Sequence, residues 1–291
     1  MELVTYVALV LIGVCFGSFA GAMVWRLRAA QLVYDKKHKE QVDTKELNKL
    51  RPLTERSLVK DRSVCLHCGY ELKWYDLIPI ASWLSLKGKC RQCRKAIGIF
   101  ELAIEVGVAL FFVVSYIFWP FALDSVLAYV GLGTWLAAGV TMAMLAVYDA
   151  KWYLLPDRLT IILAILGALM VTLMAIQSSD PLMTVANAAG AVLVMSGLYY
   201  VIHRASKGKW VGFGDVKLGV GLGLLLADWQ LALVALFIAN LIGTLIVVPL
   251  MISGKVSRST HVPFGPLLIA GTVITFFIGP PILLMYAGAL L

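Results

Sequence analysis

One stretch of this sequence, residues 229–253, reads WQLALVALFIANLIGTLIVVPLMIS and contains no charged side chain. A helix of about 20 apolar residues spans the hydrocarbon core of a bilayer, so this stretch is long enough to cross a membrane. Similar apolar runs recur along the chain, which is 60% hydrophobic and only 14% charged. Soluble domains carry about 25% charged residues. The composition therefore predicts an integral membrane protein and excludes an ordinary soluble domain.

The apolar runs predict an all-α protein with about eight transmembrane helices. Their expected bounds are 3–25, 101–119, 121–148, 159–177, 181–203, 210–227, 229–253 and 263–289. Glu2 precedes the first run, and Arg26 and Arg28 follow it, which is the reverse of a secretory signal. Because basic flanks stay in the cytoplasm, we expect the N-terminus to lie outside and the chain to enter the cytoplasm at Arg26.

The distribution of Lys and Arg agrees with this orientation. Every Lys and Arg lies in a predicted cytoplasmic loop or at its border, and these loops are 26–100, 149–158, 204–212 and 254–262. Of the 25 Lys and Arg residues, 17 lie between Arg26 and Lys95. A basic segment beside a membrane also suits anionic lipid or nucleic acid. We interpret this one as the positive-inside topology signal and expect no nucleic-acid partner.

The first cytoplasmic loop contains two Cys-x-x-Cys pairs, Cys65 with Cys68 and Cys90 with Cys93. A tight turn lets both sulfurs of such a pair face one zinc ion about 2.3 Å away. The alternatives are two disulfides or four free thiols, but disulfides rarely persist on the reducing side of a membrane. Four thiolates fill the coordination shell, so we expect a structural Zn²⁺ site and expect His67 to be a neighbour of it.

The loops and helices predict three domains. The first is the transmembrane helix at 1–25, and the second is a basic, zinc-binding cytoplasmic domain at 26–100. The third is a seven-helix membrane domain at 101–291.

Two carboxylates lie at predicted membrane boundaries on the cytoplasmic side. Asp149 follows the predicted helix 121–148, and Asp215 opens a helix whose later residues are too few to span a bilayer. An ionised side chain inside a membrane is costly and is a functional candidate by default. The macrodipole adds a second cost for Asp149 at a helix C-terminus. Both costs fall if the carboxyls share one proton, as they do in aspartic proteases. One then activates water while its protonated partner polarises a scissile carbonyl.

Other roles remain open for the acids and the lysine near these boundaries. Asp215 is explained about equally well as the cap of the following helix, and Asp157 suits a cap better than a catalyst. Lys217 suits snorkelling to the interface or pairing with a carboxylate. Gly212 and Gly214 allow a tight turn and the close approach of a peptide.

Several motifs together resemble the type IV prepilin leader peptidases, a family of membrane aspartic peptidases with a Gly-x-Gly-Asp motif. The motifs cover nearly the whole chain and comprise Phe16-Gly17-Ser18-Phe19, the two cysteine pairs, Ile78-Pro79, Ser82-Trp83-Leu84, Leu155-Pro156-Asp157 and Gly212 to Lys217. The resemblance implies that Asp149 and Asp215 are the catalytic pair. It implies supporting positions at Gly212, Gly214, Lys217 and Glu105.

The resemblance also implies a reaction and a location. The reaction is cleavage after a glycine that ends a short basic leader, just before the apolar helix of a prepilin or pseudopilin. The location is the bacterial inner membrane, with a periplasmic N-terminus, a cytoplasmic zinc loop and membrane lipid around the helices. Many members also N-methylate the new terminus with S-adenosylmethionine through the zinc-bearing loop. The chain departs from the family's usual residues at Gly21, Arg28, Leu66 and Phe100, mostly in or beside the part tied to methylation.

Two other classes of function fit parts of the sequence. A proton-coupled transporter would use Asp149 and Asp215 as a proton relay. A relay needs acids at several depths, however, and no internal repeat typical of transporters is evident. A non-catalytic scaffold would use the zinc loop for binding, which leaves the paired acids unexplained. The sequence therefore favours an aspartic endopeptidase.

Overall fold

The chain is almost entirely helical in this computed structural model, which describes residues 2–54, 62–255 and 262–289. The helices are α1 Glu2–Lys37, α2 Thr44–Lys49, α3 Arg51–Thr54, α4 Ala81–Ser85, α5 Ile99–Ile117, α6 Val126–Trp152, α7 Asp157–Gln177, α8 Pro181–Val192, α9 Leu198–Ser206, α10 Phe213–Leu226, α11 Trp229–Ile252 and α12 Gly265–Ala289. A short 3₁₀ helix covers Trp74–Asp76, and a π-helical turn, Leu193–Gly197, joins α8 to α9. In the described ranges β-pairing is limited to two isolated bridges. The predicted all-α class is confirmed.

Seven helical segments in the described part are long and apolar enough to cross a membrane. They are α1, α5, α6, α7, the continuous α8–α9 segment, α11 and α12. The eighth expected span, 210–227, is the 14-residue helix α10. At 1.5 Å per residue it is about 21 Å long, shorter than a hydrocarbon core of about 30 Å. Of the expected loop 254–262, residues 256–261 lie outside the described residues.

The chain divides into two compact units, residues 1–113 and 114–291. In the first unit, α1 and α5 touch backbone to backbone. A Cβ atom on Gly13 would lie 2.6 Å from the Ala109 Cα, and one on Gly17 would lie 2.6 Å from the Glu105 Cα. Small residues four positions apart allow this approach in membrane helices. The glycines of the first helix therefore serve helix packing.

Helix α1 ends at Lys37, 12 residues beyond the end at residue 25 that the sequence predicted. Residues 26–37 contain neither Gly nor Pro, and basic residues in the last turn complement the helix dipole. Ala29 and Leu32 of this extension are buried in a small apolar core together with Leu50. The expected boundary between the first helix and the loop domain therefore falls within α1.

In the second unit, α10 packs against α7, α8 and the π-helical turn. Its glycines allow contact on both sides. A Cβ on Gly219 would lie 2.7 Å from the Met195 carbonyl oxygen, and one on Gly221 would lie 2.8 Å from the Leu163 side chain. The glycines of this helix therefore let its neighbours pack closely.

An aromatic contact fixes α12 against α6. The buried Trp135 ring stacks on Phe276 with ring centroids 3.7 Å apart. Its indole N–H donates a hydrogen bond to the Ser115 hydroxyl at 2.9 Å, which satisfies a polar group that would otherwise be buried unpaired. Because the two helices pack side by side, the first turn of α12 meets the last turns of α6.

Candidate active site

Asp149 lies in the last turns of α6 and is buried, with 6% of its surface exposed. Its Oδ2 accepts a hydrogen bond from the backbone N–H of Gly265, the first residue of α12, at 2.9 Å. A Cβ atom on Gly265 would lie 2.8 Å from the same oxygen. The N–H groups of a first helical turn have no partner within their own helix, and the dipole there favours negative charge. The start of α12 thus offsets the unfavourable dipole at the end of α6.

Asp215 lies in the first turn of α10 and is half-buried. Its carboxyl group interacts with the backbone N–H of Gly212, the N-cap residue, and with the charge of Asp149. A side chain that reaches back from the third helical position to the N-cap N–H forms one half of a capping box. Capping and interaction with Asp149 are therefore compatible roles for Asp215, and the two predicted carboxylates lie close enough to interact electrostatically.

Gly212 and Gly214 differ in their surroundings. A Cβ on Gly214 would lie 3.1 Å from the Leu155 Cβ, so this glycine lets α10 approach the segment that precedes α7. Gly212 is exposed, and its hypothetical Cβ would come no closer to another side chain than 3.8 Å, to the Asp215 carboxylate. Gly214 therefore serves packing, while Gly212 lies on an open side of Asp215.

Lys217 pairs with Asp157 across the first turns of α10 and α7. The Lys217 Nζ lies 2.6 Å from the Asp157 Oδ1, and the two side chains are 36% and 64% exposed. The sequence left two roles open for Lys217, snorkelling and pairing with a carboxylate, and in the structure Lys217 pairs with a carboxylate. The N-cap of α7 is Pro156, so Asp157 is the first helical residue and not the cap that the sequence favoured.

The four cysteines of the loop converge. Their sulfur atoms all lie within 4.8 Å of one another, and those of Cys65 and Cys93 are 3.9 Å apart. A tetrahedron with metal–sulfur bonds of about 2.3 Å has sulfurs roughly 3.8 Å apart, so this cluster fits a single zinc-sized ion. His67 is not part of the cluster. Burial raises the pKa of the Cys65 thiol, so a bound metal must displace its proton.

The same backbone pattern supports both cysteine pairs. The N–H of Cys65 donates to the Tyr70 carbonyl and that of Cys90 to the Lys95 carbonyl, both at 2.9 Å. The residue after each pair has a left-handed backbone, with φ of 70° at Gly69 and 58° at Arg94. The isolated bridges, 64 with 71 and 89 with 96, occupy equivalent positions. The loop therefore contains one structural unit twice, 25 residues apart.

Two family models match the chain. The bacterial peptidase A24 N-terminal domain matches residues 11–119, and the type IV leader peptidase family matches residues 136–248. A prepilin leader peptidase/N-methyltransferase from Aeromonas hydrophila is 30% identical over 276 residues, which cover 90% of this chain and 87% of the relative. The chain belongs to the type IV leader peptidase family.

Other relatives of this leader peptidase family member carry the same name. One from Burkholderia pseudomallei strain K96243 is 32% identical over 236 residues, 80% of this chain and 72% of the relative. One from Pseudomonas aeruginosa is 28% identical over 268 residues, 91% of this chain and 87% of the relative. No solved structure matches the chain. The family assignment gives no support to the transporter alternative.

In this family member Glu105 supports a strained turn in the first unit. Glu105 is 8% exposed, and its Oε2 accepts the backbone N–H of Ile80 at 2.7 Å. Ile80 has φ of 60° and ψ of −54°, and the Ala81 N–H donates to the Pro79 carbonyl. This is a γ-turn in a conformation that a β-branched residue rarely adopts. Glu105 thus fastens the Ile78-Pro79 motif to α5.

Two further residues interact with the leader peptidase carboxylates, a third contacts the residue after Asp215, and none of the three was predicted from the sequence. Gly265 has the hydrogen bond to Asp149 described above. Tyr199 is 5% exposed, interacts electrostatically with Asp215 and forms a hydrogen bond with Asn240. Ser196 of the π-helical turn donates to the Val216 carbonyl at 2.8 Å, and such turns frequently occur at functional sites. Gly265 could have been noticed in the sequence, because it is a glycine at the start of an apolar run. Nothing in the sequence marks Tyr199 or Ser196.

Proposed function

We propose that this protein is a membrane aspartic endopeptidase that removes the basic leader peptide from type IV prepilins and pseudopilins. The observation that supports it most directly is the electrostatic interaction between two carboxyl groups, Asp149 and Asp215, which lie at helix ends of the second unit. Membership of the leader peptidase family and the names of the relatives agree with this activity.

In the proposed reaction the two carboxyls share one proton. The ionised carboxylate removes a proton from a water molecule while the water oxygen attacks the scissile carbonyl carbon. The protonated carboxyl donates a hydrogen bond to the carbonyl oxygen, where negative charge develops. The carbon–nitrogen bond then breaks, and the leaving amine takes a proton from the pair. The pair is left with one proton, ready for another cycle, and the protons belong to the pair and not to either residue.

The short helix α10 supports a site at the edge of the lipid. If its far end, beside Asp228, reaches the outer interface, its 14 residues stop roughly 9 Å short of the opposite interface. Asp215, in the first turn of this helix, then lies inside the hydrocarbon boundary. A precursor whose basic leader stays in water while its apolar helix stays in lipid presents its cleavage point at this depth.

We propose the orientation given by the basic loops, with the N-terminus in the periplasm and the cysteine loop in the cytoplasm. The loop domain, residues 26–100, would bind one structural Zn²⁺ through Cys65, Cys68, Cys90 and Cys93, with peptide hydrolysis assigned to residues 101–291. The ion would hold the two turns of the loop together. The relatives' names include N-methyltransferase, so we propose S-adenosylmethionine as the donor for methylation of the new amino terminus.

The test is cleavage of a purified prepilin-type precursor by the purified full-length enzyme in detergent, followed by mass spectrometry of the products. We expect the leader and the mature chain as two masses. We expect the mature chain to gain one methyl group only when S-adenosylmethionine is present. Matched reactions use the Asp149→Asn and Asp215→Asn variants, which keep side-chain size. Full cleavage by both variants would overturn the proposed mechanism.

A further inference from the structure

The end of the second unit that contains the carboxylate pair is mainly basic. The described segments 149–158 and 204–217 contain six basic residues, which are Lys151, Arg158, Arg204, Lys207, Lys209 and Lys217. The same segments contain three acids, Asp149, Asp157 and Asp215. A substrate with a basic leader is repelled by most of these charges. It therefore needs a carboxylate near the site that is free to receive a cation.

Asp157 is the acid of these segments that meets this need. Asp149 is 6% exposed and accepts the Gly265 N–H, and Asp215 interacts with Asp149 and with the Gly212 N–H. The Asp157 side chain is 64% exposed. It is also the first residue of α7, where the helix dipole stabilises its negative charge whether or not a lysine is beside it.

The present partner of Asp157 can be replaced without loss of the fold. The Lys217–Asp157 pair is exposed on both sides, and exposed ion pairs contribute little to stability because water and salt screen them. The contact between α10 and α7 also rests on Gly221, where an added Cβ would lie 2.8 Å from the Leu163 side chain. The Lys217 ammonium has a second favourable contact, over the Phe213 ring at 5.2 Å from its centroid.

We propose that Asp157 is a specificity-determining residue that binds a lysine or arginine of the leader peptide, and that this substrate cation takes the place of Lys217. The inference rests on the proposed function, because it names the group of the leader peptide, a lysine or arginine side chain, that the same site binds. Lys217 occupies the carboxylate until a basic leader arrives. Asp215 of the carboxylate pair lies two residues before Lys217 on α10. A precursor with a neutral or acidic leader would have to compete with Lys217 without a cation of its own.

The experiment measures kcat and KM of the full-length enzyme in detergent for a set of precursors. The set comprises one precursor with its basic leader and variants in which each leader Lys or Arg in turn is replaced by Glu. The enzymes are the wild type, Asp157→Asn, Asp157→Lys and the matched control Lys217→Gln. The control breaks the same ion pair but keeps the carboxylate.

For the basic leader we expect Asp157→Asn to raise KM about fivefold, the size expected for one exposed ion pair, with kcat nearly unchanged. Lys217→Gln should lower KM or leave it unchanged, because a competitor is removed. Asp157→Lys should cleave one Glu-substituted leader better than the wild type does. Equal effects of Asp157→Asn and Lys217→Gln, independent of leader charge, would overturn the inference and leave a structural ion pair. Absence of cleavage by the wild type would instead contradict the proposed function.

Discussion

The cysteine cluster and the carboxylate pair assemble their groups over different distances along the chain. The cysteines come from two turns of the same construction, 25 residues apart, and each turn is held by hydrogen bonds within a stretch of ten residues. Asp149, Asp215 and Gly265 come from three helix ends, and the hydrogen bond from Gly265 to Asp149 joins residues 116 positions apart. Short-range bonds shape the first site, whereas packing of whole helices shapes the second. Loss of a side chain should therefore have different consequences at the two sites.

The largest effect is expected from the carboxylates. Replacing Asp149 or Asp215 by Asn removes a proton donor or acceptor from the pair, and cleavage should fall by at least about 10³-fold. Membrane insertion and zinc content should stay as in the wild type, because neither carboxylate belongs to the cysteine loop. Product mass and bound zinc should be measured on the same preparations. Zinc loss in these variants would show that the two sites depend on each other.

The next effect tests how closely helix packing controls the carboxylates. Gly265→Ala places a methyl group where the Asp149 carboxylate lies, at 2.8 Å. Either α12 or the carboxylate must shift, and we expect kcat to fall about 10- to 100-fold with a smaller change in KM. The matched control is Gly133→Ala in α6, where an added Cβ meets nothing within 4 Å. Similar losses in both variants would point to general destabilisation of the bundle.

A smaller effect on hydrolysis is expected from the cysteine loop. Cys65→Ser removes one of four thiolates, so bound zinc and the thermal stability of the loop should fall, while leader cleavage falls severalfold at most. Zinc is measured by elemental analysis, and loop stability by the protease sensitivity of the full-length enzyme. Cys15→Ser in α1, outside the cluster, serves as the control. Loss of cleavage with zinc retained would reverse the proposed division between the two sites.

The smallest effect distinguishes the two repeated turns. Arg94 and Gly69 have the same left-handed backbone, but only glycine adopts it without steric cost. Arg94→Gly should stabilise the second turn by up to about 1 kcal/mol, and Gly69→Ala should destabilise the first by a similar amount. Competition for zinc with a chelator should show slower zinc release from the Arg94→Gly variant and faster release from the Gly69→Ala variant. Equal release rates would mean that turn geometry does not limit zinc retention.

The same contrast explains which features could be predicted from the sequence. The cysteine spacing is a local signal, because a four-residue turn already places two sulfurs side by side. The apolar runs are equally local, and the helices were found to within a few residues except at α1, where burial of Ala29 and Leu32 extends the helix. Asp215 was recognisable because a short apolar run left it near the lipid. In each case neighbouring residues contain the information.

Features that depend on packing were not predictable in this way. Gly265 opens an apolar run, but nothing beside it in the sequence indicates that it meets Asp149. Lys217 and Asp157 are 60 positions apart in the sequence and lie on different helices. Their ion pair therefore could not be predicted from neighbouring residues. Tyr199 interacts with Asp215 from the helix that follows the π-helical turn, and such a turn has no simple sequence pattern.

The length of α10 has a consequence for the membrane itself. A helix of about 21 Å is shorter than the hydrocarbon core of a typical bilayer, and such a helix is accommodated by local thinning of the bilayer or by snorkelling of flanking side chains. Thicker bilayers make that adjustment more costly. The acyl-chain length of the surrounding lipid thus becomes a control on how readily water reaches the first turn of α10.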